Sequence, residues 1–169
     1  MPTSTAPDSY PTNMNIRPAT PNDSLTISAL IRSVAHYFTL HPEGIGAEEF
    51  LKTISPEGIN SYITAPNFHY LVGFIGDELA GVVAIRDNNH LYHLFVSPQF
   101  QRMGIAKELW RVAMDESLQR GNPGEFTVNS TPFAVPIYES FGFEITGQKV
   151  ETMGIAFVPM KLSKGGQVA

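Results

Sequence analysis

The segment with the most chemical content runs Leu94-Phe95-Val96-Ser97-Pro98-Gln99-Phe100-Gln101-Arg102-Met103-Gly104-Ile105-Ala106-Lys107. Its apolar start reads as a strand, Pro98 stops that strand, and a helix opens at Gly104. The first turn of a helix carries N–H groups without intrahelical acceptors and a partial positive charge. Small residues at Gly104 and Ala106 let an anion come close to that backbone. Arg102, Lys107 and Arg111 add positive charge in a chain whose formal net charge is −5. These residue types in this order point to a seat for a phosphate or pyrophosphate. An ordinary strand-to-helix turn with a packing glycine is the plainer alternative. The P-loop, the dinucleotide fingerprint, the hydrolase elbow G-x-S-x-G and the zinc motif H-E-x-x-H are all absent.

Three further side chains could move protons. Tyr138 is a phenol, protonated at neutral pH and able to give its proton to a stronger base. It could equally be a core tyrosine on a short amphipathic helix. His90 could take a proton through water, or could be a solvated histidine after the turn at Asn88-Asn89. His93 reads as a packed or pocket-rim histidine. Strand alternation puts His90, Tyr92 and Leu94 on one face and Leu91, His93 and Phe95 on the other. Histidines on opposite faces make a poor metal site, so no metal is expected. The chain has no cysteine, which excludes disulfides, thiolate zinc sites and a Cys nucleophile.

The elements that must position these residues follow from the pattern of apolar and turn residues. Asn15-Ile16-Arg17 reads as a short strand, and Asn22-Asp23 caps a helix that fades by Thr39. Gly44 and Gly46 mark a loop before two short helices at Ala47–Leu51 and Pro56–Tyr62. Tyr70–Ile75, Leu79–Arg86 and His90–Val96 form an antiparallel meander turned at Gly76-Asp77-Glu78 and Asp87-Asn88-Asn89. Gly104–Arg120 is a helix with a stripe of Ile105, Leu109, Val112 and Ala113, widened by Trp110 and Met114. A strand at Glu125–Val128 and a short helix at Ala134–Phe141 follow. Phe143–Thr152 and Ile155–Leu162 are closing strands. The order predicts a single α/β (α+β) domain over 14–162 with a mixed sheet, between flexible tails at 1–13 and 163–169.

Two motifs in this order carry a resemblance. Gln101-x-x-Gly104-x-Ala106 matches the Arg/Gln-x-x-Gly-x-Gly/Ala signature of the GNAT superfamily of acyl-CoA-dependent N-acyltransferases. Tyr138-Glu139-Ser140-Phe141-Gly142-Phe143 matches that family's Tyr-x-x-x-Gly-Phe. Val128-Asn129-Ser130 resembles the end of strand five in one bacterial branch, and the likeness covers about Asn15 to Leu162. One departure stands at Thr131, where many members carry Asn seven residues before the tyrosine. That shifts the polar contact to Asn129 or Ser130.

The resemblance implies a mostly antiparallel sheet of six to seven strands, splayed between strands four and five and flanked by about four helices. It implies acetyl-CoA as cosubstrate in that splay. Backbone groups at Leu94, Phe95 and Val96 would meet the thioester and pantetheine arm, with the Leu94 N–H as oxyanion donor. Gln101, Arg102, Met103, Gly104, Ile105, Ala106 and Lys107 would hold the pyrophosphate. Tyr138 would protonate the departing thiolate. Some members use a strand-four carboxylate as base, and counting back from Gln101 puts His90 there. The acceptor would bind near the first two helices and their loop, where Tyr37, His41, Glu43 and Glu48 lie. A solvated loop edge is the plain reading of those residues. Phe133 and Tyr92 offer aromatic walls but read as core.

Composition bounds the partners. At 169 residues with 43% hydrophobic residues, the chain can build a core without staples. Its acidity argues against nucleic acid as partner and suits a cationic small molecule. No apolar run approaches the ~18 residues that span a bilayer, and the N-terminal stretch lacks the basic start and apolar middle of a secretory signal. The chain is therefore expected to be cytoplasmic, off the membrane, and a monomer or homodimer through an exposed closing strand. The function these features imply is transfer of an acetyl group to a primary amine of a small molecule or peptide, by direct attack in a ternary complex. A non-catalytic CoA-binding or protein-interaction module on the same fold is the alternative.

Overall fold

The computed structural model describes residues 13–164. Of the tails expected at 1–13 and 163–169, residues 1–12 and 165–169 lie outside the described residues. The elements are β1 (Asn15–Pro18), α1 (Ser24–Val34), α2 (Glu48–Thr53), α3 (Pro56–Thr64), β2 (Phe68–Ile75), β3 (Glu78–Arg86), β4 (His90–Val96), α4 (Ile105–Gln119), β5 (Glu125–Ser130), α5 (Val135–Ser140), β6 (Glu144–Ile145), β7 (Val150–Thr152) and β8 (Ile155–Ser163). The sheet runs β1-β2-β3-β4-β5-β8-β6, with β7 also on β8. Every pairing is antiparallel except β4 with β5. That parallel pair is joined at His90↔Thr127 and Leu91↔Val128 only, and the two strands splay beyond it.

The closed end of the splay is pinned by one side chain. The buried Asn122 accepts from the Gly124 and Glu125 amides and donates to the Asn88 and Glu125 carbonyls. This ties the β3–β4 turn to the start of β5. Among the described residues nothing comparable holds Leu94 or Val96 to β5, and the strands diverge towards their C-terminal ends.

Each face of the sheet buries its own core. On one face Ile27, Leu30, Ile31 and Val34 of α1, at the spacing of a helical stripe, pack with Ile59 of α3 on Tyr70, Val72, Val82 and Ala84. On the other, Ile105, Leu109, Trp110 and Ala113 of α4 pack on Leu71, Val83, Ile85, Leu91 and Phe126. Gly81 lets α4 come close: a Cβ there would stand 2.8 Å from Leu109 Cδ1 and 2.9 Å from the Phe95 carbonyl oxygen.

The final hairpin departs from the expected single strand over Phe143–Thr152. It is split into β6 and β7, which raises the count to eight strands and, with α1–α5, five α-helices. The cause lies on the partner strand. Pro159 of β8 accepts from the Thr146 amide at 2.9 Å but has no N–H to return, so the ladder lapses on that side. The register then resumes two residues out of step, at Val150↔Phe157. β8 also runs through Ser163, one residue into the expected tail, paired with Glu125.

Candidate functional site

The turn after β4 has the backbone of an anion cradle. Pro98–Phe100 forms one 3-10 turn, Gln101 is extended, and Arg102 and Gly104 are both left-handed, at φ 66° and 77°. α4 starts immediately after. The Glu108 amide is the first to find an acceptor, the Gly104 carbonyl, at 3.1 Å. Among the described residues no group accepts from the amides of Arg102 through Lys107. Six consecutive donors are thus left without an acceptor at the positive end of a 15-residue helix. Arg102 and Lys107 are exposed, and neither pairs with a carboxylate among the described residues. The expected contribution of Arg111 is corrected: its guanidinium is held by Glu108 at 2.8 Å and Asp115 at 3.2 Å. Gln101, although exposed, folds back on the strand, its Nε2 donating to the Val96 carbonyl at 3.2 Å.

A bulge in β4 decides where the neighbouring backbone points. Arg86 pairs with His90 and Ile85 with Leu91, but Ala84 pairs with His93, so Tyr92 has no partner. The Thr127 amide of β5 donates to the Asn89 carbonyl. Asn89 and Leu91 therefore point to β5, and His90 points to β3. Beyond the bulge the phase is reversed. The Ser97 amide donates to the Ala80 carbonyl, which marks a bonded pair with β3. Counting back by alternation, Phe95 and His93 also bond β3, whereas Val96 and Leu94 point away from it. With β5 gone from their side, the Leu94 and Val96 amides open into the splay. Without the extra residue the Leu94 amide would be consumed by β3.

The same bulge overturns the expected side-chain alternation. Leu91, Leu94 and Val96 face α4, while His90, Tyr92, His93 and Phe95 all face the α1–α3 side. His90 and His93 thus share a face rather than opposing each other. Each is already engaged: His90 Nδ1 bonds the Thr127 hydroxyl at 2.7 Å, and His93 Nδ1 bonds the Tyr70 hydroxyl at 2.9 Å. Burial lowers both imidazoles, His93 to about 3. His90 sits at the paired end of the strands, four residues and about 13 Å of strand from Leu94.

Tyr138 lies on α5, on the α4 face of the sheet. It is 7% exposed, and its ring packs edge-on against Phe141 and Phe143 at centroid distances of 6.0 and 5.7 Å. Burial pushes its phenol above the ordinary range. Among the described residues nothing bonds its hydroxyl.

The connection before α5 accounts for the departure at Thr131. Its hydroxyl caps the 3-10 turn Pro132–Ala134 by accepting from the Ala134 amide at 3.0 Å. Ser130 is buried, its hydroxyl bonded to the Thr131 carbonyl at 2.6 Å, and Asn129 is exposed. Phe133, read as core, is 67% exposed and stacks on Tyr37 at 5.1 Å and 15°. The loop after α1 is thereby joined to the β5–α5 connection. In that loop His41 Nδ1 accepts from the Glu43 amide at 3.1 Å, and the Glu48 carboxylate accepts from the Gly46 amide at 3.1 Å. The Glu43 carboxylate is exposed, with no ion-pair partner among the described residues. Tyr62, Tyr70 and Tyr92, which line the bulge, were not singled out together by sequence, because alternation gives no sign of an extra residue.

A family model described as an acetyltransferase (GNAT) domain matches residues 38–164. The chain belongs to the GNAT acetyltransferase family. Among its relatives, a thialysine N-epsilon-acetyltransferase of Caenorhabditis elegans is 25% identical over 118 residues, covering 64% of this chain and 68% of that protein. The PaiA N-acetyltransferase from Thermoplasma acidophilum, solved in complex with coenzyme A, superposes with a TM-score of 0.73 at 18% identity, covering 90% of this chain and 99% of that one. An aminoglycoside 6'-N-acetyltransferase complexed with coenzyme A gives a TM-score of 0.65 at 14% identity, covering 87% of this chain and 95% of that one. These two likenesses establish the GNAT fold. Among the described residues of this GNAT domain, no helix is long and apolar enough to cross a membrane.

Proposed function

We propose that this GNAT domain moves an acetyl group from acetyl-CoA to a primary amine of a small molecule or peptide. The observation that carries the reading is the row of unpaired amides from Arg102 to Lys107 beside the free Leu94 amide. The row fits a diphosphate. The Leu94 amide, a few residues up the strand, fits a thioester carbonyl. Relatives support the donor, since two fold neighbours were solved with coenzyme A.

In this reading Arg102 and Lys107 add charge to the cradle, and Gln101, by holding the Val96 carbonyl, sets the angle at which the turn leaves β4. Met103, Ile105 and Ala106 contribute their amides. Phe95 anchors β4 from the opposite face, against Phe38. Val96 and the exposed Asn129 flank the pantetheine arm from the two sides of the splay, and Ser130 shapes its wall. The Leu94 N–H stabilises the oxyanion, a task worth roughly 2.7–4 kcal/mol per donor. The amine attacks the carbonyl carbon directly, the C–S bond breaks, and the thiolate takes the Tyr138 proton. The burial that raises the phenol also raises the basicity of a thiolate released beside it, so the two stay matched. The attacking amine loses its proton to water, with His90 as the terminal acceptor along that path. Proximity to the thioester supplies most of the acceleration, so a strong base is not required.

The acceptor side is built by Tyr37, His41 and Glu43, with Phe133 closing one wall. An exposed carboxylate on the same loop as a stacked aromatic pair suits an ammonium group. The test is a panel of primary amines, among them lysine analogues, polyamines and amino sugars, with acetyl-CoA and a thiol reagent reporting CoA release. Turnover on at least one amine is expected, and Tyr138→Phe should lower kcat by about tenfold or more with CoA affinity within about twofold. CoA binding without release from any amine would favour the non-catalytic CoA-binding module. Absence of both would end the reading.

A further inference from the structure

The β4 bulge carries two consecutive side chains, Tyr92 and His93, on the α1–α3 face, and each meets a hydroxyl from a different element. Tyr62 of α3 bonds Tyr92, oxygen to oxygen, at 2.9 Å. Tyr70 of β2 bonds His93 Nδ1 at 2.9 Å, with both residues buried. The rings interlock, Tyr62 lying edge-on to His93 at 5.7 Å and to Tyr92 at 5.1 Å. We propose that these two tyrosines are positioning residues: they clamp the bulge in register and so keep the Leu94 amide aimed into the splay. The proposal rests on the acetyl-transfer reading for its effect on rate, but not for its effect on register.

The physical case is one of alternatives. A slip of β4 by one residue past the bulge would return the Leu94 amide to β3 and move every later side chain to the other face. His93 would then stand against the aliphatic core around Leu91 and Ile85, with no partner for its imidazole. Aliphatic residues at 62, 70, 92 and 93 would pack on either face and leave the slip cheap. The hydroxyl bonds make the bulged register the one in which the imidazole and Tyr92 are satisfied, which is how buried polar contacts specify one arrangement. Neither tyrosine lies in the cradle, so their removal should cost turnover more than CoA affinity.

The test pairs kinetics with amide exchange in Tyr70→Phe and, as the milder change at a part-buried pair, Tyr62→Phe. In the parent protein the Leu94 amide should exchange fast and the Phe95 amide, bonded to β3, slowly. In Tyr70→Phe that contrast should collapse, and kcat should fall about tenfold or more, a larger factor than any loss of CoA affinity, since a misplacement of 1 Å costs up to ~100-fold. Tyr62→Phe should move both readouts the same way by less. His93→Gln alone, with Tyr70 intact, keeps an acceptor for the Tyr70 hydroxyl and should retain much of the parent rate. A folded Tyr70→Phe with an unchanged Leu94–Phe95 contrast, or with kcat within twofold of the parent, overturns the clamp. If the parent turns over no amine, the acetyl-transfer reading falls and the exchange contrast alone decides the clamp.

Discussion

His93 shows how far position changes a side chain's chemistry. Free histidine titrates near 6.5, but burial in the tyrosine cluster pushes this imidazole down to about 3. The folded protein therefore holds His93 neutral while the unfolded chain still binds a proton. Between those two values the unfolded state carries one more proton, so stability is full above pH 6.5 and falls as pH drops towards 3. The loss is about 1.4 kcal/mol per pH unit for this one group. Urea denaturation at pH 7.0 and 5.5 should accordingly show a steeper loss for the parent than for His93→Gln. Parallel losses would mean that His93 is protonated in the folded state. Thr131 teaches a related lesson. The residue that departs from the family pattern is used as a cap, through its bond from the Ala134 amide, and that use is local and independent of any ligand.

At the scale of elements, the strand–turn–helix unit from β4 to α4 does most of the work. Gly104 is left-handed at φ 77°, a conformation that costs an L-residue roughly 1–2 kcal/mol. Gly104→Ala should lower stability by about 1 kcal/mol in chemical denaturation and weaken CoA binding by a larger factor in calorimetry, because the strained turn relaxes away from its cradle form. Equal CoA affinity in a destabilised variant would remove the turn from the binding site. This unit was legible in sequence, since Pro98, Gly104 and the stripe from Ile105 to Ala113 are local signals. So were the meander turns at Gly76-Asp77 and Asp87-Asn88. The bulge at Tyr92 was not, because a one-residue register shift leaves no mark on apolar alternation. The split of the last strand was hidden too, because its cause, Pro159, sits on the partner strand. The pairing of Arg111 with Glu108 and Asp115 was present at helical spacing, but it competes with a role in the cradle only once the side chains are seen to meet.

For the whole molecule, the fold builds a sheet closed at one end and open at the other. Asn122 and the His90–Thr127 and Leu91–Val128 pairs hold the closed end. The open end presents the Leu94 and Val96 amides next to the cradle, with Tyr138 on one face and the clamp of Tyr62 and Tyr70 on the other. A ligand spanning cradle and splay therefore bridges two halves of the sheet whose strands pair with each other only at the closed end. The central claim is that coenzyme A seats its diphosphate on the amides of Arg102 to Lys107. Titrating CoA into uniformly labelled protein and following backbone amides tests it most directly. The claim predicts the largest shifts at residues 102–107, with further shifts at Leu94 and Val96. Shifts absent there, or confined to the groove of Asn67, His69, Asp87 and Arg120 about 22 Å away at the far end of α4, would contradict it.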